Sequence, residues 1–287
     1  MNPTTATLLY DLHSHTTASD GQLAPEQLVL RAREQGVDVL AVTDHDTVAG
    51  LAAARDAIRQ HELNMVLING VEISTLWENH EIHVVGLNID PDHPALVQLL
   101  AEQSERRMRR AEEIGLRLEK ARIPGAFEGA KRLANGGQVT RGHFARFLVE
   151  DGRANNFAEV FKHYLARGKT GYVPPQWCTL EQAIDVIHHS GGQAVLAHPG
   201  RYQLSAKWLK RLMALFAESG GDAMEVAQCQ QAPGERNQLA LYARQYQLLA
   251  SQGSDFHQPC AWIELGRRLW LPEGVDPVWQ RWALPTN

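Results

Sequence analysis

Residues 11–21 read DLHSHTTASDG and follow the short apolar run Leu8-Leu9-Tyr10. In an extended strand, residues i and i+2 project to the same side. His13 and His15 therefore aim two imidazoles at one point, while Ser14 faces away. The turn formers Ser19-Asp20-Gly21 can return a carboxylate towards that point. Taken alone, the stretch reads equally well as a polar strand end whose Asp20 caps the next helix. The rest of the chain has to decide.

Apolar runs at residues 8–12, 37–42, 65–68, 82–86, 194–197, 223–226 and 248–250 alternate with helical patterns. That alternation is the mark of βαβ units and a parallel sheet. A helix is expected from Pro25 to Gly36, and Asp46 or Thr47 is expected to cap another running to Gln60. The alternation stops after Gly86. Val97, Leu100, Ser104, Met108, Ala111, Ile114 and Leu118 recur at helical spacing and predict one long helix. Shorter helical patterns follow at 141–150 and 157–165, and strand character returns only at Gly171-Tyr172-Val173-Pro174-Pro175. The expected division is a discontinuous body, 1–98 with 172–287, interrupted by a helical insertion at 99–171.

The chain has 287 residues, 44% hydrophobic and 21% charged, enough for one large domain with a sizeable core. No apolar stretch approaches the roughly 18 residues of a membrane span. The N-terminus lacks the basic and apolar regions of a secretory leader. Cys178, Cys229 and Cys260 are odd in number and far apart, which argues against a disulfide framework and a zinc ribbon. A reducing cytoplasm is the expected setting, with no membrane and no stable protein partner. Charge is unevenly spread: residues 99–171 hold 15 of the 28 basic residues but only 9 of the 33 acidic ones. Within this basic segment, Arg106, Arg107, Arg109 and Arg110 are each expected to solvate one helix face beside Glu102, Glu105, Glu112 and Glu113.

The histidines are not scattered. The second apolar run ends in TDHD with His45, and the third leads to Glu72. The fourth opens HEIHVVG with His83, the fifth ends at His198, and the last ends at Asp255 and His257. Carboxyl ends of strands form the site-bearing face of parallel α/β sheets and barrels. His83 fits less well, because it falls early in its run unless that strand is antiparallel. His61, His80, His93, His163, His188 and His189 read as surface groups, and Asp44 as a hydrogen-bonding partner behind the site. The pooled set is His13, His15, Asp20, His45, Glu72, His83, His198, Asp255 and His257. A mononuclear catalytic zinc needs about three protein ligands. Nine suit two or three divalent ions, especially if Glu72 bridges a pair. Mixed imidazole and carboxylate donors suit Mn²⁺, Fe²⁺ or Zn²⁺, and the residues alone do not choose among them.

The ordered motifs DLHSHTTASDG, VLAVTDHDT, NGVEIS, EIHVVG, AVLAHPGRY and GSDFH resemble the PHP (polymerase and histidinol phosphatase) family of the amidohydrolase-like group. They span nearly the whole chain outside the insertion. The insertion, ending near GKTGYVPP, is similar to that of nucleoside 3′,5′-bisphosphate phosphatases and related 5′-to-3′ exoribonucleases. The resemblance implies an α/β fold, a distorted (β/α)7 barrel with a helical insertion domain, and a trinuclear centre. By position, it implies one ion on His13, His15, Glu72 and Asp255. A second would share Glu72 with His83 and His198, and a third would use Asp20, His45 and His257.

Three divalent ions against three carboxylates leave a positive well for phosphate, and such ions lower the pKa of bound water towards 7. The resemblance then implies a metal-dependent phosphoesterase removing the 3′-phosphate of nucleoside 3′,5′-bisphosphates, with stepwise action on short 5′-phosphorylated RNA. Histidinol phosphate hydrolysis and amide hydrolysis are the alternatives. Arg141, His143, Lys169 and Arg201 are the candidate groups for a second phosphate, and Tyr172 or Trp177 for stacking on a base.

Overall fold

The computed structural model describes residues 8–232 and 234–282. The stretch read as lacking a leader lies, through residue 7, outside them. In chain order the elements are β1 (Tyr10–Asp11), α1 (Pro25–Glu34), β2 (Val39–Val42), α2 (Gly50–Gln60), β3 (Val66–Trp77) and β4 (His80–Leu87). Then come α3 (Pro94–Lys120), α4 (Ala126–Ala134), α5 (Arg141–Glu150) and α6 (Phe157–Val160), the last continued by a wide π turn over Phe161–Leu165. The chain returns through β5 (Cys178–Thr179), α7 (Leu180–His189), β6 (Gln193–Leu196), α8 (Ala206–Glu218), β7 (Ala223–Ala227), α9 (Glu235–Gln245) and β8 (Leu249–Gln252).

Seven strands run in the order β1-β2-β3-β4-β6-β7-β8, and β5 pairs with β3 off this path. The two ends of that order meet. Leu12 N donates to Gln252 O at 3.1 Å, His15 N to Phe256 O at 2.9 Å and Asp255 N to His13 O at 2.9 Å. The sheet is thus a distorted (β/α)7 barrel, and the distortion is β4, antiparallel to both β3 and β6. An antiparallel strand starts where its parallel neighbours finish. His83, early in β4, therefore lies at the same end of the barrel as the other site histidines.

The pleat separates two cores. From β2, Val39 and Ala41 join an inner cluster with Leu12, Ile68, Val85 and Val195. Leu40 and Val42 join an outer cluster with Leu28, Val29 and Ala54 of α1 and α2. Period-2 alternation in a short apolar strand produces this division directly. Helix α3, about 40 Å long at 1.5 Å per residue, crosses from one core to another. Leu96, Leu99 and Leu100 pack with barrel-side residues such as Ile73 and Ile184. Ala111, Ile114 and Leu118 pack with Ala130, Phe144, Leu148 and Leu165 of the following helices.

Three sequence expectations need correction. Neither Asp46 nor Thr47 caps α2, which begins after Ala49 without a side-chain cap bond. Asp46 instead takes a left-handed backbone, φ 50°, and its carboxylate accepts from Ser74 N at 2.8 Å and Arg107 Nε at 2.7 Å. The arginines of α3 do not share one solvated face. Arg106 and Arg109 do pair along the helix with Glu102 and Glu105. Arg107 is buried with Asp46, and Arg110 reaches Glu81 at 2.6 Å. The strand expected at 65–68 extends to Trp77, because its polar residues Glu72 and Ser74 are buried at the site and Thr75 is buried donating to Ile82 O at 2.7 Å.

Candidate metal centre

His13 and His15 leave the end of β1 on one side, both fully buried. Ser14 between them turns away to donate to Ala41 O at 2.7 Å. Two glycines permit this packing. A Cβ on Gly21 would sit 2.3 Å from His15 O, and one on Gly253 would sit 2.3 Å from the His13 Cβ. Asp44 faces away from the cluster and organises the loop beyond His15. It accepts from Thr16 N and Thr16 Oγ1, both at 2.7 Å, and from Ser19 Oγ at 2.6 Å.

Glu72, fully buried in β3, is the hub. Its Oε2 lies 3.2 Å from His13 Nε2, 3.2 Å from His15 Nε2 and 3.1 Å from His45 Nδ1. Its Oε1 lies 2.9 Å from His83 Nδ1 and 3.0 Å from His198 Nε2. Asp255 Oδ1 approaches the Nε2 atoms of His13 at 3.3 Å and His15 at 3.1 Å. Asp20 Oδ1 lies 3.3 Å from His257 Nε2 and 3.9 Å from His45 Nε2. Three sets of donor atoms are compact enough to share an ion: His13, His15, Glu72 and Asp255; His15, Asp20, His45 and His257; and His45, Glu72 and His83. Asp255 and His198 adopt positive φ angles, 53° and 30°. Such backbone is uncommon for non-glycine residues and collects at functional sites.

The donor set fits divalent cations. Asp20 Oδ1, His45 Nδ1, Glu72 Oε2 and His198 Nδ1 are buried without a hydrogen bond, although Glu72 Oε2 has three imidazole nitrogens within 3.2 Å. Close approach without hydrogen-bond alignment is what atoms converging on a common ion require. The charges agree. Burial disfavours ionised Glu72, but His45, His13 and His83 outweigh it and hold the carboxyl well below its usual range. Burial likewise disfavours charged His15, yet Asp255 and Glu72 raise it to about 10. The carboxylates demand positive charge at their centre, which protons or divalent ions can supply.

Asp20, His45, His83, Asp255 and His257 form one wall of a cleft of about 360 Å³, within the range of small-molecule sites. Arg107, Arg110, Arg141, Arg146, Phe157, Phe161 and Trp177 line it elsewhere. The guanidiniums of Arg107 and Arg110 stack on Trp177, 4.8 and 5.3 Å from the ring centre. Glu81 pairs with both Arg110 and Arg141. Burial opposes its ionisation, but these two arginines hold its carboxyl at about 2.

Known proteins supply the remaining evidence. The profile of the PHP domain matches residues 11–173. The chain belongs to the PHP family. It is 71% identical over its whole length, and over 98% of the relative, to a 5′-3′ exoribonuclease, Rnm, of Escherichia coli K12. It is 42% identical to a 3′,5′-nucleoside bisphosphate phosphatase of Chromobacterium violaceum, covering 94% of this chain and 95% of that one. A solved structure of an amidohydrolase from Chromobacterium violaceum, with bound sulfate and no metal, superposes with a TM-score of 0.89. It is 41% identical and covers 95% of both chains. The protein is a metal-dependent phosphoesterase of the PHP type.

The other sequence candidates have separate places around this PHP site. Arg141 lines the cleft at the first turn of α5. Arg201 reaches over Asp255 and donates to its Oδ2. His143 is buried, and that burial lowers it to about 4, so it is neutral at pH 7. Its Nδ1 accepts from Thr140 N at 3.1 Å, and Thr140 Oγ1 donates to Asp20 Oδ2 at 2.9 Å. The first turn of α5 thereby holds one Asp20 oxygen and leaves the other facing the histidines. Lys169 is exposed in a turn and does not line the cleft. Tyr172 lies outside the lining too, whereas Trp177 is part of it.

Sequence reading missed Glu225. Its Oε1 lies 2.6 Å from His13 Nδ1, and its Oε2 accepts from His198 N at 2.6 Å. A carboxylate behind an imidazole fixes its tautomer and orientation. The available signal was an acid inside the apolar strand AMEVA, which cannot be buried without a partner. Arg107 was missed as well, and its pairing carries a stability prediction. Both it and Asp46 are buried, and breaking one partner of a buried pair costs about 3–5 kcal/mol. Arg107→Met should lose stability on that scale in urea unfolding. Asp46→Asn combined with Arg107→Met should recover part of it. A double variant that loses the sum of both single losses would exclude this pairing as the source.

Proposed function

We propose that this phosphoesterase removes the 3′-phosphate from nucleoside 3′,5′-bisphosphates and, by the same cut, releases 5′-mononucleotides stepwise from short 5′-phosphorylated RNA. The supporting observation is that a single cleft combines Asp20, His45, His83, Asp255 and His257 of the cluster with four arginines from α3 and α5. One phosphate at the cluster leaves guanidiniums for a second. The two activities named for the relatives above are the same reaction on substrates of different length.

In this reading three divalent ions, Mn²⁺ first, occupy the site. The first would be held by His13, His15, Glu72 and Asp255, the second by Glu72, His83 and His198, and the third by Asp20, His45 and His257. Bound there, they supply Lewis acidity towards phosphoryl oxygens and an ionisable water at neutral pH. Glu225 keeps His13 fixed, and the Thr140–His143 pair keeps Asp20 fixed. Arg110 and Arg141 hold the 5′-phosphate, with Trp177 braced behind Arg110 and Phe161 behind Arg141. Water oxygen bonds to phosphorus, the P–O3′ bond breaks, and O3′ takes up a proton. A bisphosphate yields a 5′-nucleotide and inorganic phosphate. RNA yields a 5′-nucleotide and a shorter chain that retains the phosphate as its new 5′ end. The cytoplasm is the proposed setting, in keeping with three free cysteines.

The test is a substrate panel in Mn²⁺: adenosine 3′,5′-bisphosphate, 3′-AMP, 5′-AMP, histidinol phosphate, an acylated amine and 5′-phosphorylated oligoribonucleotides. The bisphosphate and the oligoribonucleotides should be consumed, with 5′-AMP left intact. Preference for histidinol phosphate, or equal use of 5′-AMP, would overturn the nucleotide assignment.

A further inference from the structure

The loop that follows His257 forms a cleft wall and then leaves it. His257, Gln258, Cys260 and Ile263 line the cleft. Trp262, between the last two, is 71% exposed, and Trp270 in the same loop is 55% exposed. They are the two most exposed large hydrophobic side chains among the described residues. Both rings belong to the loop that borders the cleft, and exposed apolar surface beside a site points to binding.

The loop is firmly held. Leu265 and Leu269 are buried beneath it, Gly266 N donates to Asp11 Oδ2 at 2.9 Å, and Glu264 accepts from Arg31 at 2.6 and 3.0 Å. Arg236 of α9 donates to Arg268 O at 2.9 Å and stacks on Trp270, 4.3 Å from the ring centre. The exposed indoles are thus presented on a fixed support. Between them, Arg267 and Arg268 make no ion pair with a described carboxylate, and the Arg267 side chain donates to Ala261 O at 2.8 Å. Aromatic rings interleaved with unpaired cations form the surface that binds single-stranded nucleic acid without regard to sequence.

We propose that Trp262, Arg267, Arg268 and Trp270 form a track for the 3′-ward part of a single-stranded RNA substrate, beginning at the cleft mouth with a base stacked on Trp262. The proposal rests on the RNA half of the function proposed above. The cut phosphate stays with the rest of the chain, which has to leave the cleft, and this loop extends its His257 wall outwards. A nucleoside bisphosphate ends before the track. It therefore serves as an internal reference.

The experiment compares wild type, Trp262→Ala, Trp262→Phe and Arg267→Ala/Arg268→Ala. Turnover is measured on adenosine 3′,5′-bisphosphate and on a 5′-phosphorylated eight-nucleotide RNA. Binding of a fluorescein-labelled eight-nucleotide RNA is followed by anisotropy in chelator. Trp262→Ala should weaken RNA binding about 5–100-fold, the range of one lost base stack. It should raise KM on RNA, leave bisphosphate turnover within about twofold of wild type, and be rescued by Phe. The double arginine variant should flatten the salt dependence of binding by about 1.4 in log–log slope. Unchanged RNA affinity in Trp262→Ala overturns the track, as does an equal fall on both substrates, or a change in the assembly mass in place of RNA affinity. If wild type binds RNA through these residues yet cleaves none, the nuclease assignment fails and the track stands.

Discussion

Asp255→Asn is expected to lower phosphoesterase activity by more than about 10²-fold, exceeding the roughly 10–100-fold typical of residues that only orient ligands. Asp255 Oδ1 sits among the Nε2 atoms of His13 and His15, and its other oxygen faces Arg201. An amide keeps the shape but removes the negative charge that offsets a cation there. Glu225→Gln should fall in the smaller range, because Glu225 contacts the far nitrogen of His13 and the backbone of His198, not the converging donor atoms. Chelation should abolish activity in wild type, and Mn²⁺ should restore it. Metal content gives a second readout: Asp255→Asn should bind less metal per chain while its unfolding remains cooperative. Full turnover by exhaustively chelated protein, or full activity in Asp255→Asn, would sink this account of the site.

The site was legible in sequence because its geometry is local. His13 and His15 share a side through the two-residue period of a strand, and His45, His198, Asp255 and His257 follow strand ends, whereas Glu72 sits inside β3. His83 was the other exception. The run EIHVVG is apolar whichever way it runs, so its direction was set by pairing with Val84 opposite Ile73 and Leu196, and no local pattern encodes that. The arginines of α3 were illegible for a related reason. Helical spacing puts Arg106, Arg107, Arg109 and Arg110 on neighbouring faces, but which face meets the barrel depends on Asp46, Ser74, Trp177 and Glu81. Those partners arrive from three distant segments. Asp46 looked like a helix cap because a short polar residue before a helix has that local use. A buried guanidinium was the stronger partner.

Arg141→Ala should separate the two phosphates of the proposed substrate. On adenosine 3′,5′-bisphosphate, kcat/KM should fall roughly 10–100-fold, the equivalent of losing hydrogen bonds to a charged group. On 4-nitrophenyl phosphate, which has no second phosphate, it should change by less than about threefold. Arg141 lines the cleft from the first turn of α5, its guanidinium 5.7 Å from the centre of the Phe161 ring and paired with Glu81. Glu81 also holds Arg110, so the two cations are kept together despite their repulsion. That arrangement presents two planar donors to an incoming phosphate, which a lysine cannot reproduce. Arg141→Lys should therefore recover only part of the loss. Lys169→Ala is the contrast, because Lys169 is exposed outside the cleft lining, and it should leave the ratio of the two activities unchanged. An equal loss on both substrates in Arg141→Ala would assign Arg141 to the support of α5 and Asp20, and the second phosphate would then need another partner in the cleft.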